Sequence, residues 1–486
     1  MKTEHTLNNG HAYVDKEYSQ VRVPNKGRQR LIRPTAVWFG YAFGPVALNS
    51  AAYVAGAFKF STMILITLLG CGMLIFISGL MGWIGQREGM TFALISRFAW
   101  GSKAYRIATM IIPIGLIGWS SIHIFTVGMF VNRMITNTSD INAVYIITCI
   151  ITVCCIGGSA VKGIHTVTNI GFFAVPYILV LLFIAASKAM GDLGSWNNVF
   201  TMEPGALGTI TLATGVTAMV GSFACGAGGA SADIQRFCKK PRGAWVVSLV
   251  TFGIAYPFLM VVSSLISLAT GATTFVDAFA SFHMLPAGSI VVFLLAWSTV
   301  NADYYTSSLS FAAALGVRRE VATIVIACVG GILACLGSGF FLEKYLTYMT
   351  AFMVPIVGVA ASDYFLVNKG HYPEPYIAIG KDSKIPPVKW GAVIAYAVGV
   401  ATLMITEHFA FLVPPVNCLV VTALVHFIAC KLLPQKSNFN DLIDKDARDE
   451  SFNAPSFEEL KAAGGLFSLM WDDYRSSVQW KVAKEV

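Results

Sequence analysis

Several groups of side chains in this sequence are unusual because they lie inside long apolar runs. Leu116, Trp119 and His123 are spaced i, i+3 and i+7, so on a helix they share a face. Trp prefers a membrane interface, where its N–H stays wet. At the centre of a span it needs a partner, a surface to stack on, or plain core packing. His123 is ionisable within a span, which points to function; a neutral, hydrogen-bonded structural role is the alternative. Further along, Ser298, Asn301, Tyr305 and Ser308 form a polar stripe at i, i+3, i+7 and i+10. Ser298 and Thr299 offer hard oxygens that suit a small cation, provided carbonyls of a broken helix complete the shell. Asp303 points away from that stripe, toward Thr299 and Thr306. It is placed to bind a proton or a cation, or to be paired within the bundle. The third group is Gly221–Phe237, where Gly226, Gly228 and Gly229 crowd an apolar segment. Each glycine costs a helix interior about 1 kcal/mol relative to Ala. The cluster reads either as a helix break facing a ligand or as close helix packing. Asp233 and Arg236, one turn apart, predict a local salt bridge.

These groups need a membrane frame. The chain has 486 residues, 56% of them hydrophobic and 12% charged, against about 25% charged in soluble domains. Mean hydropathy is +0.66. Twelve apolar spans are expected, at about 36–58, 62–86, 103–132, 142–162, 166–188, 209–236, 242–270, 287–315, 320–341, 345–367, 388–408 and 410–433. Lys and Arg gather in the N-terminal tail and the even-numbered connections, so both termini are expected in the cytoplasm. The predicted organisation is a cytoplasmic tail over 1–35, a transporter domain over 36–433 and a cytoplasmic tail over 434–486. The first 35 residues show no signal-peptide pattern. The net charge of +8 is a topology signal and implies no nucleic-acid partner. The ten cysteines lie mostly in apolar runs, without metal-ligand spacing. Residues 271–286 are too short to span and read as a re-entrant or surface helix. Leu460–Trp480 reads as an interfacial helix or a solvated tail.

Two spans break the helical rule. Span 1 carries Gly44-Pro45 at mid-membrane, and Pro removes a backbone bond and clashes with the preceding turn. Span 6 carries the glycine cluster, five spans later and in the opposite direction. Breaks in corresponding positions of two halves predict an inverted 5+5 repeat with a central binding site. The site residues fall at the depth of those breaks. Polytopic enzymes are disfavoured, since the eight histidines are scattered and no nucleophile motif is present. A passive channel and an amino acid or amine carrier of the same fold remain as alternatives.

The chain resembles the nucleobase:cation symporter-1 family, and within it the cytosine permease branch. The motifs that carry this are Gly82, Trp83 and Gly85, then Gly89 and Arg97-Phe98, Gly118-Trp119, Gly221-Ser-Phe223, and Ser231-Ala-Asp233 with Arg236. They continue with Trp297-Ser-Thr299 and Tyr305, Pro355, Gly358, Asp363-Tyr364, and Val413-Pro-Pro-Val-Asn417. The resemblance implies an all-α polytopic membrane protein of leucine-transporter type, a 5+5 inverted repeat with helices 1 and 6 broken. It implies import of a planar heterocycle with Na⁺ or H⁺ across the inner or plasma membrane, with no other cofactor. It implies that Trp119 and Phe223 stack on the ring while backbone near Ala224, Gly226 and Gly228 reads its edge. It also implies a sodium site from carbonyls of Gly40, Phe43 and Leu295 with the hydroxyls of Ser298 and Thr299. The sequence departs from the family pattern in three places. Leu116 stands where the cytosine pattern has Gln. Val300-Asn301-Ala302 replaces the usual Asn-Asp-Asn run. The segment between Phe223 and Asp233 is one residue longer. Cytosine itself is therefore not the expected substrate, and His123 and Asn301 are expected to replace the lost polar contacts for another ring, such as a purine, hydantoin, hydroxymethylpyrimidine or related heterocycle.

Overall fold

The computed structural model describes residue 18, residues 21–23 and residues 27–442, apart from 162–163, 205–206, 241, 273 and 379–382. The expected helix over Leu460–Trp480 lies outside the described residues.

Pro45 divides span 1 into Ile32–Ala42 and Pro45–Ala57. Pro occupies the first turn of the second half, where its missing N–H costs nothing. Span 6 is likewise split, into Leu212–Gly221 and Gly226–Gln235, bent by 49°. Spans 2 to 5 are Phe60–Glu88, Tyr105–Thr136, Ala143–Ala160 and Ile164–Leu193. Span 7 is Gly243–Thr270, span 8 Leu285–Leu315, span 9 Arg319–Cys335 and span 10 Leu342–Val367. Spans 11 and 12 are Trp390–His408 and Pro414–Leu432. Among the described residues nine helices are long and apolar enough to cross a membrane, and the bent pair makes ten. The halves of span 1 and the 17-residue span 9 fill the remaining expected positions.

Burial sorts the spans. Spans 3, 7, 8 and 10 bury three-fifths or more of their apolar windows, whereas spans 11 and 12 bury 28% each. The last two therefore lie at the margin, packed on each other and on span 10. Span 8 runs against spans 3, 5 and 9 and touches the first half of span 1, so it forms one wall of the centre. Residues 271–286 contain the short helix Phe275–Ser281, whose Phe275 and Phe279 bury against Phe130 of span 3.

One end of the bundle gathers the first and last described segments, residues 21–31 and 433–442, and forms the terminal face. The N-terminal segment forms a strap across it, inside the region expected to be a tail. Arg22 donates to Glu88 at the end of span 2 (2.5 Å to Oε2) and to the carbonyls of Tyr372 (2.9 Å) and Pro373 (3.2 Å) after span 10. Arg28 donates to the Gln86 carbonyl (2.8 Å), and Gln29 pairs in parallel with Cys238 after span 6. Burial pushes the Arg28 guanidinium down to about 10. On the same face Lys389 forms a buried ion pair with Asp363, and Phe439 is fully buried beneath it.

Candidate functional site

The break in span 1 frees backbone groups. Pro45 has no N–H, the Val46 N–H goes to His123 Nδ1 (3.3 Å), and the Ala47 N–H goes to the Gly44 carbonyl (2.9 Å). These are the three positions that would close the helix on Tyr41, Ala42 and Phe43. Tyr41 accepts from Gly44 instead, and Gly40 from Phe43, both at 3.3 Å. Ala42 and Phe43 lose their helical donors, which suits the Phe43 carbonyl to the cation role expected of it.

Gly44 marks where three elements converge. A methyl group there would stand 2.6 Å from His123 Cε1 and 3.2 Å from Thr299 Cγ2. Its φ of −59° is open to any residue, so closeness, not dihedral freedom, demands glycine. His123 is fully buried, and in the neutral ring its bond from Val46 places the proton on Nε2. That Nε2–H has no partner, and neither has the buried Thr299 Oγ1. Both are the kind of orphan that a bound molecule or ion would satisfy.

Trp119 lies one turn from His123, with ring centroids 5.5 Å apart and edge-on. Phe223 approaches it at 6.1 Å with planes at 64°. Two rings clamping a third in parallel need about 7 Å, twice a carbon contact distance. In this conformation the expected sandwich is therefore closed. The face of Trp119 is covered by Tyr345 of span 10, stacked at 5.8 Å and 19°, whose hydroxyl donates to the Gly115 carbonyl. Phe223 instead sits in a nest of edge contacts with Tyr41, Phe252 and Tyr256. Leu116 is fully buried in the apolar core.

Between Phe223 and Asp233 the helix departs from α geometry: Gly226–Ala230 forms a π-turn. The glycines also pack closely. A methyl at Gly226 would meet the Tyr41 ring at 2.6 Å, one at Gly228 the Val357 side chain at 3.2 Å, and one at Gly221 would strike the Leu346 backbone of span 10. Gly228 thus faces span 10. Ala224 is buried beside Phe223. The chain breaks at Ser222-Phe223, and the glycines beyond it let neighbours approach, as the close-packing reading expects.

Span 8 presents two polar faces. On one, Asn301 Oδ1 accepts from Ser159 of span 4 (3.0 Å) while its Nδ2 donates to the Trp297 carbonyl (2.8 Å). Tyr305 accepts from Arg236 (3.3 Å), and Ser308 donates to the Tyr305 carbonyl (2.9 Å). This face, expected to line the site, is occupied by protein contacts. The opposite face carries Thr299 and Asp303. The Tyr41 hydroxyl donates to Asp303 Oδ1 at 2.6 Å, and Oδ2 has no partner. Leu295 and Ser298 are buried on the same span. The Asp233–Arg236 salt bridge does not form. Asp233 instead accepts from the Phe92 N–H (2.9 Å) at the start of the helix Phe92–Trp100, and Arg236 donates to the Asp233 carbonyl (2.9 Å). An anion is favoured at that helix start.

Sequence reasoning did not single out Tyr41 or Tyr345. Tyr41 adjoins the span 1 break, which was a usable signal. Tyr345 lies in the first turn of span 10, where a Tyr reads as an ordinary interfacial anchor.

Two broken helices meeting intact spans around orphaned polar atoms define a multi-span carrier of the discontinuous-helix type. A family profile described as "permease for cytosine/purines, uracil, thiamine, allantoin" matches residues 22–426, and the chain belongs to that family. It is 24% identical over 427 residues to the cytosine permeases of Escherichia coli K12 and O157:H7, covering 87% of this chain and 96% of theirs. Its fold is similar to that of Mhp1, a nucleobase-cation-symport-1 family transporter. In the closed state with bromovinylhydantoin bound, Mhp1 gives a TM-score of 0.71 at 18% identity, over 89% of this chain and 98% of that one. The inward-facing state of Mhp1 gives 0.73 at 18% identity, over 93% and 100%. A Na⁺-coupled sialic acid symporter gives 0.59 at 13% identity, over 86% and 93%. The protein is thus a multi-pass membrane permease, and its fold is the expected all-helical one with helices 1 and 6 broken.

Proposed function

We propose that this permease is a symporter that imports a nucleobase-like planar heterocycle with Na⁺ by alternating access, its termini in the cytoplasm. The observation that carries the reading is the convergence at Gly44. The freed span 1 carbonyls, the unpaired Thr299 hydroxyl and the unpaired His123 Nε2–H all lie around that one point. The ring stacks on Trp119 in the place now held by Tyr345, and His123 donates to an acceptor on its edge. Na⁺ binds between the Gly40 and Phe43 carbonyls of span 1 and Leu295, Ser298 and Thr299 of span 8. Substrate and ion together bridge both broken spans to the intact wall, so their joint binding biases which side opens. Family membership supports the substrate class, and the distance of cytosine permease in sequence leaves the particular ring to measurement.

The test is a thermal-shift screen of purines, pyrimidines, hydantoins and hydroxymethylpyrimidines, with amino acids as the competing class, in Na⁺ and in choline. Competition uptake follows in proteoliposomes. Stabilisation by a heterocycle that deepens with Na⁺ is expected. A response to amino acids alone, or uptake indifferent to both Na⁺ and H⁺ gradients, would overturn the reading.

A further inference from the structure

We propose that Asp303 and Thr306 form a second position for a small monovalent cation, about one helical turn from Thr299 toward the terminal face. The proposal rests on the symporter reading above.

Four side chains carry it. Thr299, Asp303, Thr306 and Ser310 recur at i, i+4, i+7 and i+11, which places them within about 60° of one another around span 8. All four are fully buried. The outer oxygens Thr299 Oγ1, Thr306 Oγ1 and Ser310 Oγ, together with Asp303 Oδ2, have no hydrogen-bond partner. Thr and Ser inside a helix commonly bond back to a carbonyl a turn earlier. Thr109, Thr126 and Thr323 of this chain do so at 2.9–3.0 Å. Span 8 also leaves the Tyr304 and Ser307 hydroxyls unmet off this line, so the departure is local to span 8, and Asp303 is its one carboxylate.

A carboxylate away from water must be paired, coordinated or protonated. Among the described residues no Lys, Arg or His forms an ion pair with Asp303. The Tyr41 hydroxyl meets one oxygen only. A proton would settle the carboxyl and leave the flanking hydroxyls unmet. A hard cation takes carboxylate and hydroxyl oxygens together, and so accounts for Asp303 and Thr306 at once. Thr299 and Thr306 are about 10 Å apart along the axis, too far to share an ion. Hence there are two positions, one at the span 1 carbonyls and one at Asp303. Tyr41 links the second position to both broken spans, since its ring packs against Gly226 of span 6.

The test uses the full chain in proteoliposomes, with radioactive sodium and the best heterocycle from the screen. In wild type we expect about two Na⁺ per substrate and a Hill slope for Na⁺ well above one; Asp303→Asn, which keeps the acceptor for Tyr41, and Thr306→Val should bring both near one. Na⁺-induced thermal stabilisation, read without transport, should shrink in the same variants and persist in Asp303→Glu. An unchanged ratio and unchanged stabilisation in Asp303→Asn would overturn the proposal. So would uptake driven by a pH gradient without Na⁺ and lost in Asp303→Asn, which would make Asp303 a proton carrier. Wild-type uptake driven by no ion gradient would sink the symport reading instead. The stabilisation comparison would then still judge Asp303.

Discussion

The two faces of span 8 are both polar and have opposite fates. One carries Asn301, Tyr305 and Ser308, each bonded to protein. The other carries Thr299, Asp303, Thr306 and Ser310, each with an unmet oxygen. A buried polar group without a partner costs about 1–3 kcal/mol, so a fold keeps a row of them only where something else compensates. The satisfied face behaves as scaffold, joining span 8 to span 4 and to Arg236. The unsatisfied face looks at span 1 where that span is broken. On the reading proposed above, polarity left unpaired, rather than polarity itself, is what marks the binding surface.

This contrast can be broken by mutation. The largest effect is expected from Thr299→Val, on the unpaired side. Na⁺-dependent uptake should fall by about a hundredfold, some 2.7 kcal/mol, with the unfolding temperature nearly unchanged; uptake and thermal melts measured together check it. Gly44→Ala comes next. Its methyl would press on His123 and Thr299, and overpacking of this kind costs about 1–3 kcal/mol. Substrate and Na⁺ affinities should weaken together by about tenfold or more, as read by isothermal titration. Asn301→Ala probes the paired side. It removes the bond to the Trp297 carbonyl and one of the contacts of Ser159 and should lower stability by about 1 kcal/mol, while the half-saturating substrate concentration moves less than about twofold. A large loss of affinity without loss of stability would reverse the assignment of the two faces. Tyr345→Leu should have the smallest effect. Uncovering Trp119 removes a competitor for its face, so the half-saturating concentration should fall by about threefold, roughly 0.7 kcal/mol.

Much of the architecture was legible because it depends on local signals. Hydropathy located the spans to within a few residues, and Pro45 marked the first break outright. The span 6 break was visible from its glycines, although the bend falls at Ser222-Phe223 and the glycines beyond form a π-turn. The π-turn itself was not legible, because a bulge and a longer loop leave the same residue count. Helical spacing grouped the span 8 residues correctly into two stripes. It held no information on which stripe faces span 1, because both are polar and rotation about the axis is set by packing. The pairings Tyr41–Asp303 and Trp119–Tyr345 join residues more than two hundred positions apart. No periodicity reports such contacts. Asp233 was misassigned for a related reason: a neighbour one turn away is the visible partner, whereas the start of the helix Phe92–Trp100 is nearer in space.

The strap of Arg22 across the terminal face has a consequence for assembly. Its partners arrive at very different times during synthesis: Glu88 early, and Tyr372, Pro373 and Glu374 some 350 residues after Arg22. Arg28 and Gln29 find partners once spans 2 and 6 are made, whereas the Arg22 contacts beyond span 10 wait until ten spans have been threaded. The knot that closes this molecule is thus tied last with the thread spun first. A fusion partner placed hard against the N-terminus would be expected to hinder the tying more than one placed at the C-terminus.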